Sequence, residues 1–176
     1  MSDASALLIR TAREADAPVL CAAERETARL PARLLSQPHE LSEAAFAQKI
    51  AEVGENYLVA ENGGTIVAHA FLDFAGPLAA LAHVRTLTIC VHPGHTGQGV
   101  GRALIGALLD RGRASEDIER IELRVRETNA AAIHLYETCG FAEESRFRRR
   151  VKLPDGRLID DIGMVWFRSQ TLGFSR

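Results

Sequence analysis

Two stretches of the chain carry residue types at spacings that could do chemistry. The first runs from Leu87 to Arg111. Leu87 to Val91 is an apolar, partly β-branched run and predicts a strand buried on both faces. Pro93, Gly94, Gly97, Gly99 and Gly101 then break regular structure. From Val100 the period becomes helical, with Val100, Ala103, Leu104, Ala107 and Leu108 on one face and Arg102, Asp110, Arg111 and Arg113 largely off it. Strand, glycine-rich turn and helix in that order expose the free N–H groups of a helix N-terminus, which with the helix dipole suit a phosphate. The second stretch is a helix predicted over Asn129 to Thr138 and closed by Gly140. Asn129, Ala132, Ile133 and Tyr136 share one face of it, while His134 and Thr138 point away. Seven residues separate Asn129 from Tyr136 by roughly 10 Å along the axis, so an amide and a phenol can serve two points of one extended ligand.

The glycine turn fits some phosphate sites and not others. A P-loop ends in Gly-Lys-Ser/Thr, where this chain has Gly101-Arg102-Ala103. A dinucleotide fingerprint needs a third glycine where the chain has Arg102 or Leu104, depending on the frame. A tightly packed turn that binds nothing stays open on the residues alone. So does an amphipathic helix in which Tyr136 is core and Asn129 an N-cap.

Val91, Pro93, Gly99 and Gly101 resemble the acetyl-CoA motif of the GCN5-related N-acetyltransferase (GNAT) superfamily. Thr96 departs from it, standing where that family usually has Arg or Gln. Asn129, Ala132, Leu135, Tyr136, Gly140 and Phe141 are similar to the family's second motif at each marked position. The resemblance implies an α/β fold, a central mixed sheet flanked by helices. It implies direct transfer of acetyl from acetyl-CoA, as cosubstrate, to a primary amine, with no metal. It implies cofactor contacts from Ile89, Cys90 and Val91 of the strand, from Gly97, Gln98, Gly99, Val100, Gly101 and Arg102 at the turn, and from Asn129. Strand amides around Ile89 to Val91 would polarise the thioester oxygen, and Tyr136 would protonate the departing thiolate as general acid. The stretches around the fourth and fifth strands and the last strand resemble bacterial members that acetylate small amines or free amino acids. A small-molecule amine such as an amino acid is therefore the expected acceptor. The alternatives are a protein N-terminus or lysine, and a CoA-binding sensor without catalysis. Dimers are frequent in the family, which allows a homodimer.

The amine must lose its proton to attack, and α-amines (pKa about 8) need less help than lysines (about 10.4). Relatives that acetylate protein N-termini carry Glu five residues before the motif Asn; here Arg124 stands there. Arg124 then reads as a holder of a substrate carboxylate or as the partner of Glu122 or Glu127. Glu122, on the same side of its strand, reads as a base or as a solvated carboxylate. His83 and, less so, His69 could accept a proton through water; each could equally be structural. Reaction without a protein base also remains open. The run Arg146, Arg148, Arg149 and Arg150 around Phe147 reads as a solvated strand face or an anion contact.

The elements that must position these groups follow from the periodicity. At 176 residues the chain is expected to form one domain, residues 1–176. A first strand is predicted at Leu7 to Arg10, a helix that starts at Asp16-Ala17-Pro18 and takes in Val19, Leu20, Ala23 and a continuation from Arg25 through Ala28, an irregular segment from Leu30 to Glu40, and a second helix capped by Ser42. A hairpin turns at Asn62-Gly63-Gly64, and a fourth strand spans Ala82 to Val91. A fifth covers Ile121 to Val125, and two last strands, Phe141 to Lys152 and Leu158 to Phe167, flank Pro154-Asp155-Gly156. The order is β-α-α-β-β-β-α-β-α-β-β. Specificity is expected from Glu24 to Phe46 and from the hairpin at Pro154. A net charge of −2 gives no footprint for nucleic acid or an anionic membrane. Three scattered cysteines, Cys21, Cys90 and Cys139, form neither a disulfide framework nor a zinc motif. With no leader or membrane-length run in the sequence, a soluble, cytoplasmic chain is expected.

Overall fold

The computed structural model describes residues 6–30, 34 and 36–169. Seven strands form one sheet in the order β1-β2-β3-β4-β5-β7-β6. They are β1 (Leu8–Thr11), β2 (Tyr57–Asn62), β3 (Thr65–Phe74), β4 (Val84–Val91), β5 (Arg120–Arg126), β6 (Ala142–Lys152) and β7 (Leu158–Phe167). The helices are α1 (Ala17–Ala28), α2 (Glu43–Val53), α3 (Val100–Ala114) and α4 (Ala130–Thr138). The predicted order of elements is the observed one. The fourth strand starts at Val84 rather than Ala82, because Ala79–Leu81 close a 3-10 turn after Gly76-Pro77. Of the irregular segment, residues 31–33 and 35 lie outside the described residues.

Alternation assigns the two faces. Leu58 and Ala60 of β2, Ala68, Ala70 and Leu72 of β3, and Ile121, Leu123 and Val125 of β5 share one core with α3 and α4. Tyr57 and Val59 join Leu20 and Cys21 of α1 and Phe46 and Ile50 of α2 in a second core on the opposite face. α2 begins as the sequence predicts, with the Ser42 hydroxyl accepting a hydrogen bond from the Ala45 N–H at 3.2 Å. The buried stripe of α3 is rotated from the predicted one: Ile105 and Leu109 are buried with Leu104 and Leu108, while Ala103 and Ala107 are half-buried. Both stripes fit the same period, and packing against β2 to β5 selects between them.

One irregularity of the sheet makes the site. All strand pairs are antiparallel except β4 and β5, which are parallel and pair only at Val84, Arg85 and Thr86 with Arg120, Ile121 and Glu122. Beyond Thr86 the two strands diverge. The second half of β4 is therefore not buried on both faces: Thr88 is exposed, and Ile89 and Val91 are half-buried.

Candidate active site

The gap between the diverging strands opens into a cleft of about 1090 Å³. Its floor is β4 from Thr86 to Val91, its far wall β5, and its ends are the glycine turn with α4 and the inner side of α1. Such a volume is large for a single small ligand and leaves room for two reactants.

The orientation of the β4 backbone follows from its ladder with β3. Val84 accepts from the Ala75 N–H at 3.4 Å, and the His92 N–H donates to Val67 at 2.9 Å. Even-numbered residues thus turn their backbone polar groups towards β3, and the N–H groups of Ile89 and Val91, beyond the last pair with β5, face the gap. These are open positions on a sheet edge, suited to an extended amide-bearing chain and to a developing oxyanion. Cys90 is placed differently. Its amide faces β3, and its buried thiol lies 3.6 Å from Thr27 Oγ1, towards α1.

At the end of β4 the chain turns through Gly94, Gly97 and Gly99, all at positive φ. Gly99, at φ 79°, is the residue before α3 and offers no side-chain cap. Only with Ala103, whose N–H donates to Gly99 at 3.0 Å, does the helical ladder begin. The N–H groups of Val100, Gly101 and Arg102 are thus available to an anion at a helix of four turns. No atom lies within 4 Å of where a Cβ on Gly97 or Gly99 would stand, so the approach is open. Gly101 sits inside, where a Cβ would meet Leu135 at 3.0 Å and Val91 at 3.4 Å; lack of a side chain lets α3 close onto α4 and β4. Two expected contacts do not line the cleft: Val100 is buried in the core, and the exposed Gln98 turns its side chain back to donate to the Gly94 carbonyl at 3.1 Å. Arg102 lines the cleft and reaches the Thr138 hydroxyl at 3.0 Å.

α4 forms the second wall. Asn129 caps it, its Oδ1 accepting from the Ala132 N–H at 3.3 Å, which leaves the side-chain NH₂ free to donate into the cleft. Tyr136 is buried against Phe141 and lines the cleft, and burial pushes its phenol up to about 12. The hydroxyl therefore holds its proton at neutral pH, as a proton donor must.

The acceptor side is assembled from other elements. Thr86 pairs with Glu122, so Thr86, Thr88 and Cys90 of β4 share a sheet face with Glu122 and Arg124 of β5. Glu122 is held by Arg120 at 3.1 Å, and Arg120 also takes Glu144. Arg124 pairs with neither Glu122 nor Glu127; its guanidinium lies over the Phe147 ring at 4.8 Å, across from Gly163. It has no carboxylate partner among the described residues. His83 is exposed at the paired end of β4, where its carbonyl accepts from Glu119 and Arg120, and it does not line the cleft. Arg146 and Arg150 of the basic run pair with Glu143, Glu127, Asp160 and Asp161.

His69 is fully buried and is the middle of a chain. Its Nε2 lies 2.9 Å from Glu24 Oε1 and its Nδ1 lies 3.1 Å from His92 Nε2; His92 Nδ1 is 3.1 Å from the Ile66 carbonyl. Glu24 lines the cleft, with its side chain 12% exposed. Sequence reasoning gave Glu24 no chemistry, yet it left a signal. Leu20, Cys21, Glu24 and Thr27 share one helical face, which places a carboxylate in an apolar stripe.

Comparison with known proteins agrees with this fold. The acetyltransferase (GNAT) family model matches residues 22–141. The N-alpha-acetyltransferase RimI of Mycobacterium tuberculosis is 34% identical over 122 residues, 69% of this chain and 74% of that protein. The phosphinothricin N-acetyltransferase of Alcaligenes faecalis is 27% identical over 161 residues, 90% of this chain and 81% of its own. The structure of yncA from Salmonella typhimurium with its cofactor acetyl-CoA superimposes with a TM-score of 0.83 at 23% identity, over 94% of this chain and 95% of that one.

Proposed function

Since the chain belongs to the GNAT family of acetyl-CoA-dependent N-acetyltransferases, we propose that it acetylates the primary amine of a small carboxylate-bearing molecule, such as an amino acid. The observation that carries this reading is Arg124, a guanidinium at the acceptor side of the cleft, stacked on Phe147 and without a carboxylate of the described residues. A planar cation so held is suited to a carboxylate in bidentate fashion. Acetyl-CoA fits the other side: the turn amides take its pyrophosphate, Ile89, Val91 and Asn129 its pantetheine arm, and Tyr136 stands ready for the thiolate. Gly97, Gly99, Gly101 and Arg102 border the phosphate region, and Thr96, exposed beside it, adds no cation of its own. A phenol kept protonated has a use in catalysis and none in a mere CoA sensor. Three free cysteines and the absence, among the described residues, of a helix able to cross a membrane accord with a cytoplasmic place of work. A homodimer belongs to the reading on family precedent alone, and sedimentation velocity tests it.

A second reading is favoured by one observation, the 34% identity to a protein N-alpha-acetyltransferase. A peptide N-terminus offers the same α-amine without the carboxylate. Thiol release from acetyl-CoA against free amino acids, polyamines, aminoglycosides and peptides separates the two. Turnover on peptides with free N-termini and not on free amino acids would transfer the assignment to protein termini. Tyr136→Phe is expected to lower kcat by ~10²–10³ with acetyl-CoA affinity unchanged within about twofold. A large loss of affinity would make Tyr136 a cofactor ligand instead.

A further inference from the structure

We propose that Glu24 receives the acceptor's ammonium group and takes its proton, and that His69 and His92 are positioning residues behind it. The inference rests on the acetyltransferase reading and deepens it. It starts from hydrogen-bond accounting along a buried chain. The Ile66 carbonyl can only accept, so His92 Nδ1 carries a hydrogen and donates to it. Burial, then the neighbouring His69, pushes His92 down to about 4, which keeps its ring neutral. His92 Nε2 is then a lone pair and accepts from His69 Nδ1–H. His69 is left with Nε2 facing Glu24 Oε1 at 2.9 Å, a contact that requires one proton between the two atoms. The carbonyl of a β3 residue thereby fixes the His92 tautomer and, through His69, the direction of the Glu24 carboxylate.

That carboxylate points where an amine is needed. Oε1 is committed to His69, while Oε2 has no hydrogen-bond partner among the described residues, and Glu24 borders the cleft. The carboxylate, His69 and the Cys90 sulfur lie within 4.8 Å of one another, and Cys90 is flanked by Ile89 and Val91, whose amides face the gap. Phe46 and Tyr57 pack on His69 from α2 and β2, and of the pair only Glu24 keeps any exposure, 12% of its side chain. The charged and titratable groups around the pair are Cys21 of α1, with Arg25 and Glu43 beside it, Tyr57 of β2, Cys90 of β4, and His92 with His95. Burial pushes Tyr57 and both cysteines up, so none of them competes as the anion. His69 is sealed from the cleft and touches no substrate; Glu24 does.

The protons balance. The ammonium gives one proton to Glu24, which returns it to solvent at the cleft mouth. The freed lone pair forms the C–N bond, the C–S bond breaks, and the thiolate takes the Tyr136 proton. The second proton leaves nitrogen as the amide forms and replaces the one that Tyr136 gave up. The acceptor class is a primary ammonium, and Glu24 and Arg124 stand on the same sheet face to hold its two charged ends.

Two measurements on the wild type and on Glu24→Gln test this. Gln keeps the shape and can still bond His69. Acetyl-CoA affinity is expected to be unchanged, and kcat/KM for the amine to fall ~10²–10³. In the variant, kcat/KM should climb about tenfold per pH unit up to the amine's own pKa, because the amine must arrive neutral; in the wild type the plateau should begin below that pKa. His69→Gln should give a smaller loss with the same change of profile, its melting temperature serving as the check on folding. The second measurement is ¹⁵N NMR of the imidazoles as a primary amine is added in the presence of CoA. His69 should shift in the wild type and stay still in Glu24→Gln. A wild-type rate and profile in Glu24→Gln would overturn the proposal and leave acetyl transfer standing. Turnover by neither protein, with His69 still responding to amine in the wild type alone, would overturn acetyl transfer and keep the amine site.

Discussion

The two halves of the cleft are built on opposite principles. The half proposed to take acetyl-CoA is made by backbone: strand amides at Ile89 and Val91, a turn through three left-handed glycines, and the first free N–H groups of α3. All of it lies between residues 89 and 102, with α4 as the near wall. The acceptor half is made by side chains brought together from distant elements: Glu24 from α1, His69 from β3, His92 beyond β4, Arg124 from β5 and Phe147 from β6. On the proposed reading the first half takes a cosubstrate common to the family and needs only a local backbone path. The second reads the partner of the reaction and depends on how the whole sheet is packed.

The comparison breaks most visibly at Gly99. Its φ of 79° strains any residue with a Cβ, and the space above it is the open approach to the helix N-terminus. Gly99→Val is expected to weaken acetyl-CoA binding by roughly a hundredfold, about 2.7 kcal/mol, through lost charge-assisted bonds to phosphate and the cost of left-handed backbone. Calorimetric titration with acetyl-CoA measures it. Undiminished affinity would mean that the pyrophosphate is held by side chains after all, and that the two halves do not differ in kind.

A smaller and more selective effect belongs to Arg124. If the acceptor half works through individual side chains, Arg124→Ala should raise KM for a carboxylate-bearing amine about tenfold or more, the value of a hydrogen-bonded charge of roughly 1.5–3 kcal/mol. The same substitution should leave acetyl-CoA binding and the KM of the corresponding amide almost untouched. Equal losses on acid and amide would show that Arg124 supports the β6–β7 wall through Phe147 and does not touch the acceptor.

What could be read from the sequence divides along the same line. Proline and glycine at 93 to 101 announce a turn because only they tolerate its angles, and the helix after it announces itself by period. Asn129 and Tyr136 share a helix, so their spacing alone fixes their relation. Glu24, His69 and His92 stand 45 and 23 residues apart, and no local pattern links them. Only the antiparallel register of β3 on β4, which pairs His69 with Cys90, and the packing of α1 over it bring them into contact. The parting of β4 and β5 after Thr86 was equally silent, since Leu87 to Val91 has the composition of a strand covered on both sides. For the same reason His83 and Glu122 looked as eligible as any group: the distance of His83 from the cleft and the hold of Arg120 on Glu122 are properties of the assembled sheet.

The smallest effect sharpens the contrast between two arginines on one strand. Arg120 and Arg124 share a face of β5, and alternation alone does not separate them as carboxylate sites. Arg120 is engaged by Glu122 and Glu144, and that pairing holds the Glu144 carboxyl below its usual range. A carboxyl held low in the folded state stabilises the fold above its unfolded pKa and loses that contribution as pH falls through the folded value. Glu144 is 44% exposed, so screening by water keeps the term small. Glu144→Gln should therefore cost about 0.5 kcal/mol or less at neutral pH, and the difference from wild type should vanish in acid, as read by urea unfolding at several pH values. Glu122 still holds Arg120 in the variant, so KM for the amino-acid acceptor should not move. A fall in KM would mean that releasing Arg120 had created a better carboxylate site, and that Arg120, rather than Arg124, is the cation that the acceptor half can turn to substrate.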